Sequence, residues 1–151
     1  MLELLARLCA LLAGSLLTLI TLITCVSIVG RNFLQATLAG DFELTAAATG
    51  LAIALFMPWC QLRRGNLIVE FFTARASQRV NVRLDQMGLL LLAAMMAVLA
   101  WRTGMGGLNA WDNHSSSMLL GFPDWVVYWG MVPPLLLTAL IALWQAARNM
   151  P

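Results

Sequence analysis

The side chains that could do chemistry in this sequence are few and stand at its joints. Nine arginines, seven carboxylates and one histidine make up the charged inventory, and lysine is absent. Asp41 and Glu43 lie in Asp41-Phe42-Glu43-Leu44-Thr45, which reads as the opening of a helix, with carboxylates where the macrodipole favours them. Arg31 closes the apolar run before them, so an ion pair between Arg31 and one of these carboxylates is geometrically reasonable. Being exposed, such a pair contributes roughly 0–1 kcal/mol, and its value lies in fixing how two helix ends meet. Arg102 sits about a turn from the end of another apolar run, where a guanidinium snorkels to the interface as an anchor. A ligand for a substrate inside the membrane is the second reading of it. His114 is the only histidine and reads as a solvated loop residue, within a glycosylation-type Asn113-His114-Ser115 triplet. Cys9, Cys25 and Cys60 fall inside apolar runs with no C-x-x-C spacing, as small packing residues do.

These patterns exclude several chemistries. One histidine cannot supply two axial ligands to a haem. The paired cysteines of a membrane thiol oxidase are missing, as is a glycine-rich phosphate loop after a strand. A proton-coupled exporter needs an ionisable group well inside a span, and none of the apolar runs carries one at its centre. No cofactor or metal is expected, no enzymatic activity and, at a net charge of +2, no nucleic-acid partner.

The elements that must position these residues are set by composition. The chain is 61% hydrophobic and 11% charged, against about 45–50% and about 25% for a soluble domain, so the excess faces lipid. Four apolar stretches, at about 8–30, 44–62, 87–104 and 125–147, are each long enough for a helix to cross a hydrocarbon layer of about 30 Å. The first is too long for a signal h-region and lacks a small-x-small cleavage site, so it is expected to be retained. Thr18, Thr21, Thr24 and Ser27 recur at i, i+3 in the first run, and Ala46, Gly50 and Ala54 form a small-xxx-small ladder in the second; both predict helix–helix packing faces. Pro58 near the end of the second run and Pro133-Pro134 in the fourth predict kinks.

Between the second and third runs, Gln61–Gln86 holds Arg63, Arg64, Arg75, Arg79 and Arg83. Ile68, Val69, Phe72, Ala76, Val80 and Leu84 can share one helical face, with Arg75, Arg79 and Arg83 on another. That pattern predicts an amphipathic helix at about 67–84, lying in the membrane interface with its arginines toward phosphate headgroups. Four spans put both termini on the side of this island, with seven arginines against Arg31 and Arg102 on the other, so the arginine-rich side is cytoplasmic. The expected fold is an all-α integral membrane protein, a single domain over 1–151 with four transmembrane helices plus the interfacial helix and both termini in the cytoplasm.

The order of short motifs resembles the small transmembrane subunit of tripartite ATP-independent periplasmic (TRAP) transporters. The matching residues are Val29-Gly30-Arg31-Asn32-Phe33 closing the first span, Phe42-Glu43-Leu44 opening the second, and Leu62-Arg63-Arg64-Gly65-Asn66-Leu67-Ile68-Val69-Glu70 after it. Before the last span comes Leu120-Gly121-Phe122-Pro123-Asp124-Trp125-Val126-Val127-Tyr128. The resemblance implies a non-catalytic subunit of the bacterial inner membrane. A large multi-span permease would carry the substrate and ion sites, and a periplasmic binding protein would deliver an organic acid or similar solute. An ion gradient, typically sodium, would drive uptake. Arg31, Asp41, Glu43, Arg63, Arg64, Arg75, Arg79, Arg83, Pro123 and Trp125 are then the candidate contacts to partners and membrane lipids. Two other classes compete. A self-sufficient four-helix exporter acting as a homodimer would show cation-stimulated proton flux sensitive to Glu43 or Arg102. The membrane anchor of a redox enzyme would bind haem or quinone.

Overall fold

The computed structural model describes residues 2–34, 40–63 and 78–148. They form four helices, α1 (Leu2–Leu34), α2 (Asp41–Leu62), α3 (Gln78–Asp112) and α4 (Asp124–Arg148). All four are long and apolar enough to cross a membrane. Their 33, 22, 35 and 25 residues correspond to about 50, 33, 52 and 37 Å of helix. Among the described residues the sole β feature is an isolated bridge between Ser116 and Pro123.

The helices outrun the apolar stretches that announce them. α1 begins at Leu2 and includes Arg7. α3 runs without a break through Leu84 and Met87, and past Gly104 to Asp112. The physical reason is that helical hydrogen bonding does not stop at the hydrocarbon edge; polar residues extend a helix into the headgroup layer at little cost. Residues 78–84 of the expected interfacial helix are therefore the first two turns of α3. Residues 67–77, with Arg75, and also Arg64, lie outside the described residues. Both proline sites are accommodated within continuous helices, Pro58 in α2 and Pro133-Pro134 in α4.

Packing joins the helices as an open row rather than a closed bundle. α1 packs on α2, α2 on α4 and α4 on α3, with a marginal touch between α1 and α4 and no close approach of α3 to α1 or α2. α4 is the spine, and its buried stripe runs from Pro134 and Leu135 through Thr138, Ala139, Ile141 and Ala142 to Gln145 and Ala146. Small residues bring the axes together, as membrane helices without a hydrophobic drive between them require. On α3 the seam is Ala93, Met96, Ala100, Gly107 and Ala110, and a Cβ on Gly107 would stand 3.0 Å from the Trp129 ring. On α2, Gly50 receives Met131 while Gly130 of α4 receives Leu51. Of the predicted ladder, Gly50 and Ala54 pack in this way and Ala46 is exposed.

The hydroxyl stripe on α1 is only half a contact. Thr24 Oγ1 meets Thr45 Oγ1 of α2 at 3.5 Å and Ser27 is buried. Thr18 and Thr21 are exposed and donate back to the carbonyls of Gly14 and Leu17. At about 100° per residue, nine residues carry Thr18 to the side of the helix opposite Ser27, so a run at i, i+3 winds off one face.

Candidate interaction surfaces at the two ends of the row

Two polar fastenings tie α2 to the α3–α4 pair, one at each end of the row. At the end where α2 begins, Gly40 precedes the helix with φ 88°, a left-handed conformation that glycine adopts without a Cβ penalty. The Leu120 side chain packs directly on it, where any Cβ would overlap Leu120 Cγ. Three residues on, the Glu43 carboxylate accepts a hydrogen bond from Ser117 Oγ and another from the backbone N–H of Leu119 at 3.2 Å. Ser117 Oγ in turn accepts from the Leu120 N–H at 3.3 Å. An ionised carboxylate is a pure acceptor and matches these donors.

The loop that presents Ser117 is a tight hairpin. Ser117 N–H donates to Phe122 O at 2.9 Å, Gly121 N–H to Ser117 O at 3.0 Å and Asp124 N–H to Ser115 O at 3.1 Å. Gly121 supplies a φ of 62° at its turn. Trp125, at the start of α4, meets Trp111 of α3 edge to face at 4.8 Å, so the two helices that the loop joins are also held by their indoles. Beside the clasp opens an apolar cleft of about 580 Å³ between α1, α2 and α4, walled by Leu16, Ala47, Leu51 and Val127 and rimmed by Glu43 and Asp124.

At the other end, Gln61 and Gln145 are buried. Gln61 Nε2 donates to Gln145 Oε1 at 2.9 Å, and Gln145 Nε2 donates to the carbonyls of Gln61 at 3.1 Å and Leu62 at 3.4 Å. Those carbonyls belong to the last turn of α2, where the usual i+4 N–H donors run out. Gln145 therefore caps α2 from the neighbouring helix. Both helices then finish with the same i, i+4 device. Arg63 stacks on Trp59 at 4.8 Å, and Arg148 stacks on Trp144 at 4.7 Å. Each is a cation over an indole, where Trp marks the membrane interface and the arginine reaches the headgroups.

The candidate contact residues thus divide. Glu43, Pro123 and Trp125 converge on one end, with Asp41 as the first residue of α2 and Pro123 opposite Ser116. Asp41 Oδ1 is buried there without a hydrogen-bond partner among the described residues. Arg63 marks the opposite end, and Arg79 and Arg83 lie in the first two turns of α3. The pair expected between Arg31 and Asp41 or Glu43 is not formed among the described residues. Arg31 is exposed in the last turn of α1, and Glu43 is turned to the 115–122 hairpin instead. Ser117, Gln61 and Gln145 were not among the candidates. For the glutamines the signal was present, since an amide inside an apolar run has to find a partner. For Ser117 it was not, because the hairpin alone brings it to Glu43.

Among the described residues no three histidine, cysteine, aspartate or glutamate side chains gather as a metal site. Among the described residues the buried polar side chains are Ser27, Gln61, Thr138 and Gln145, which serve packing and capping. His114 is exposed with φ 49° in the turn after α3. Residues 20–151 match the family model described as tripartite ATP-independent periplasmic transporters, DctQ component. No curated protein and no solved structure gives a significant match.

Proposed function

Because the chain belongs to the DctQ component family of tripartite ATP-independent periplasmic transporters, we propose that it is the non-catalytic small permease subunit of an uptake system in the bacterial inner membrane. The family match over residues 20–151 carries this reading. The open row supports it, because the four described helices form one layer whose two broad faces can lie against a larger membrane protein.

In this reading the large multi-span permease carries the solute and ion sites, and an ion gradient, sodium in the family's usual mode, drives uptake of organic acids or similar solutes. The end bearing Arg7, Arg63 and Arg148 lies in the cytoplasm by the positive-inside rule, with Arg75, Arg79 and Arg83 drawn to the headgroup phosphates of that face. The hairpin clasped to Glu43, together with Asp41, Pro123, Asp124 and Trp125, faces the periplasm and offers part of the docking surface for the binding protein.

The test is reconstitution with purified components. Solute uptake should require this chain together with the large permease and the binding protein, and should follow an imposed sodium gradient. Uptake by this chain alone in liposomes, or full uptake without it, would overturn the proposal.

A further inference from the structure

The longer course of α3 changes the position of Arg102. Its neighbours on α4 are fixed by contacts, Gly104 standing against Val132, Gly106 against Tyr128 and Gly107 against Trp129. This antiparallel register puts Arg102 level with Pro134. α4 is charge-free between Asp124 and Arg148, so the middle of its apolar run is near Leu136, about 3 Å along the axis from Pro134. Arg102 is also ten residues, about 15 Å, from the end of α3 at Asp112. Half of a hydrocarbon core is about 15 Å. The residue is thus near mid-depth of the layer the row spans, and is not an anchor at its edge.

Arg102 is exposed and has no acidic partner among the described residues. It points away from α4, since nine residues separate it from Ala93 on the buried seam, half a turn around the helix. The face it occupies is otherwise Leu91, Met95, Val98 and Met105, with Asn109 two turns further on, all exposed. No other helix among the described residues covers that face, because there α3 packs only on α4. A guanidinium left in hydrocarbon is strongly disfavoured, and intramembrane arginines are paired or line a polar cavity.

We infer that the Arg102 face of α3 is an intramembrane docking site for a helix of a different polypeptide that carries a carboxylate at the same depth. The carboxylates of the described residues, six of the chain's seven, decide against a second copy. Glu3, Asp41, Glu43, Asp112 and Asp124 lie in the first or last turns of their helices. Asp85, in register with a position beyond Arg148, is at the arginine-rich end. A like helix therefore offers Arg102 no anion at mid-depth. The inference deepens the transporter reading and rests on it for the identity of the partner, the large permease. The chemistry asks only for a membrane-embedded acidic side chain.

The experiment compares wild-type chain with Arg102→Leu, Arg102→Lys and Arg102→Glu, each tagged, full length and co-expressed with the large permease. In mild detergent, Arg102→Leu should weaken the complex by about thirtyfold or more, the range for removing one member of a desolvated charge pair. Arg102→Lys should keep most of the binding. Arg102→Glu should lose it, and regain it when one mid-span Asp or Glu of the permease is changed to Arg. The same Arg102→Leu chain without a partner should be at least as resistant to thermal unfolding as wild type, because it has lost a charge in the hydrocarbon. A lone chain made less stable by Arg102→Leu would show a structural anchor and overturn the inference. So would undiminished binding, a disulfide between two copies of an Arg102→Cys variant in place of one to the permease, or reduced phospholipid retention as the sole change. Failure of the wild-type chain to hold any permease would instead sink the transporter reading itself.

Discussion

Replacing Gln145 by methionine keeps its volume and removes its amide. The variant loses the 2.9 Å hydrogen bond from Gln61 and the donations to Gln61 O at 3.1 Å and Leu62 O at 3.4 Å. Polar contacts between membrane helices average about 0.6 kcal/mol and reach about 1.7. Two contacts of ordinary length and one long one then give a destabilisation of about 1–2 kcal/mol, with about 3.5 kcal/mol as the ceiling. Gln145→Glu should cost more, since a carboxylate placed against two carbonyls donates to neither. The assay is reversible unfolding in mixed detergent micelles, followed by tryptophan fluorescence with Trp144 as the adjacent reporter. A double-mutant cycle with Gln61→Met should give a coupling of about 0.6 kcal/mol, and at most about 1.7. Gln145→Met within about 0.3 kcal/mol of wild type, together with no coupling, would show that the pair does not hold α2 to α4.

Four further outcomes are expected. Gly40→Ala places a side chain at φ 88° under Leu120 and should cost at least about 1–2 kcal/mol for the left-handed backbone alone; an unchanged melt would contradict the packing. Glu43→Ala should speed hydrogen exchange at the Leu119 amide while the helix cores stay protected, and equal exchange would mean the clasp is not formed in the membrane. Gly107→Leu should force α3 off Trp129 at about 1–3 kcal/mol, measured in the same micelle titration. Reversing Arg75, Arg79 and Arg83 together should lower assembly of the complex in membranes containing anionic lipid; unchanged assembly and uptake would remove the role proposed for that island.

The existence and number of the spans were legible because a charge-free length is a physical requirement of the bilayer. Their ends were not, because nothing obliges a helix to stop where lipid tails stop. Gly106-Gly107, beyond the apolar stretch that ends at 104, lie inside α3 and pack against Tyr128 and Trp129 of α4. That extra length also hid the depth of Arg102, which depends on where α3 ends. The hydroxyls of α1 show a second limit, since a spacing of three suggests a stripe and ten residues of it describe half a circle. Glu43 does find a partner, but not the one expected of it. Arg31 is near in sequence, whereas Ser117 arrives through the backbone hydrogen bonds of a hairpin 74 residues away.

The seam between α2 and α4 carries a mechanical consequence. It joins two helical hairpins, α1–α2 and α3–α4, and is fastened at one end by Glu43 and Ser117 and at the other by Gln61 and Gln145. Two fastenings on one line act as the pins of a door. They prevent the leaves from sliding past each other or crossing like scissors. Among the described residues, rotation about the line itself is opposed by interlocked side chains, Gly50 with Met131, Gly130 with Leu51 and Met57 against the α3–α4 core, and by the marginal touch of α1 on α4. The two pins leave the angle between the leaves to that packing, and a rigid body seated across both would set the angle without breaking either pin.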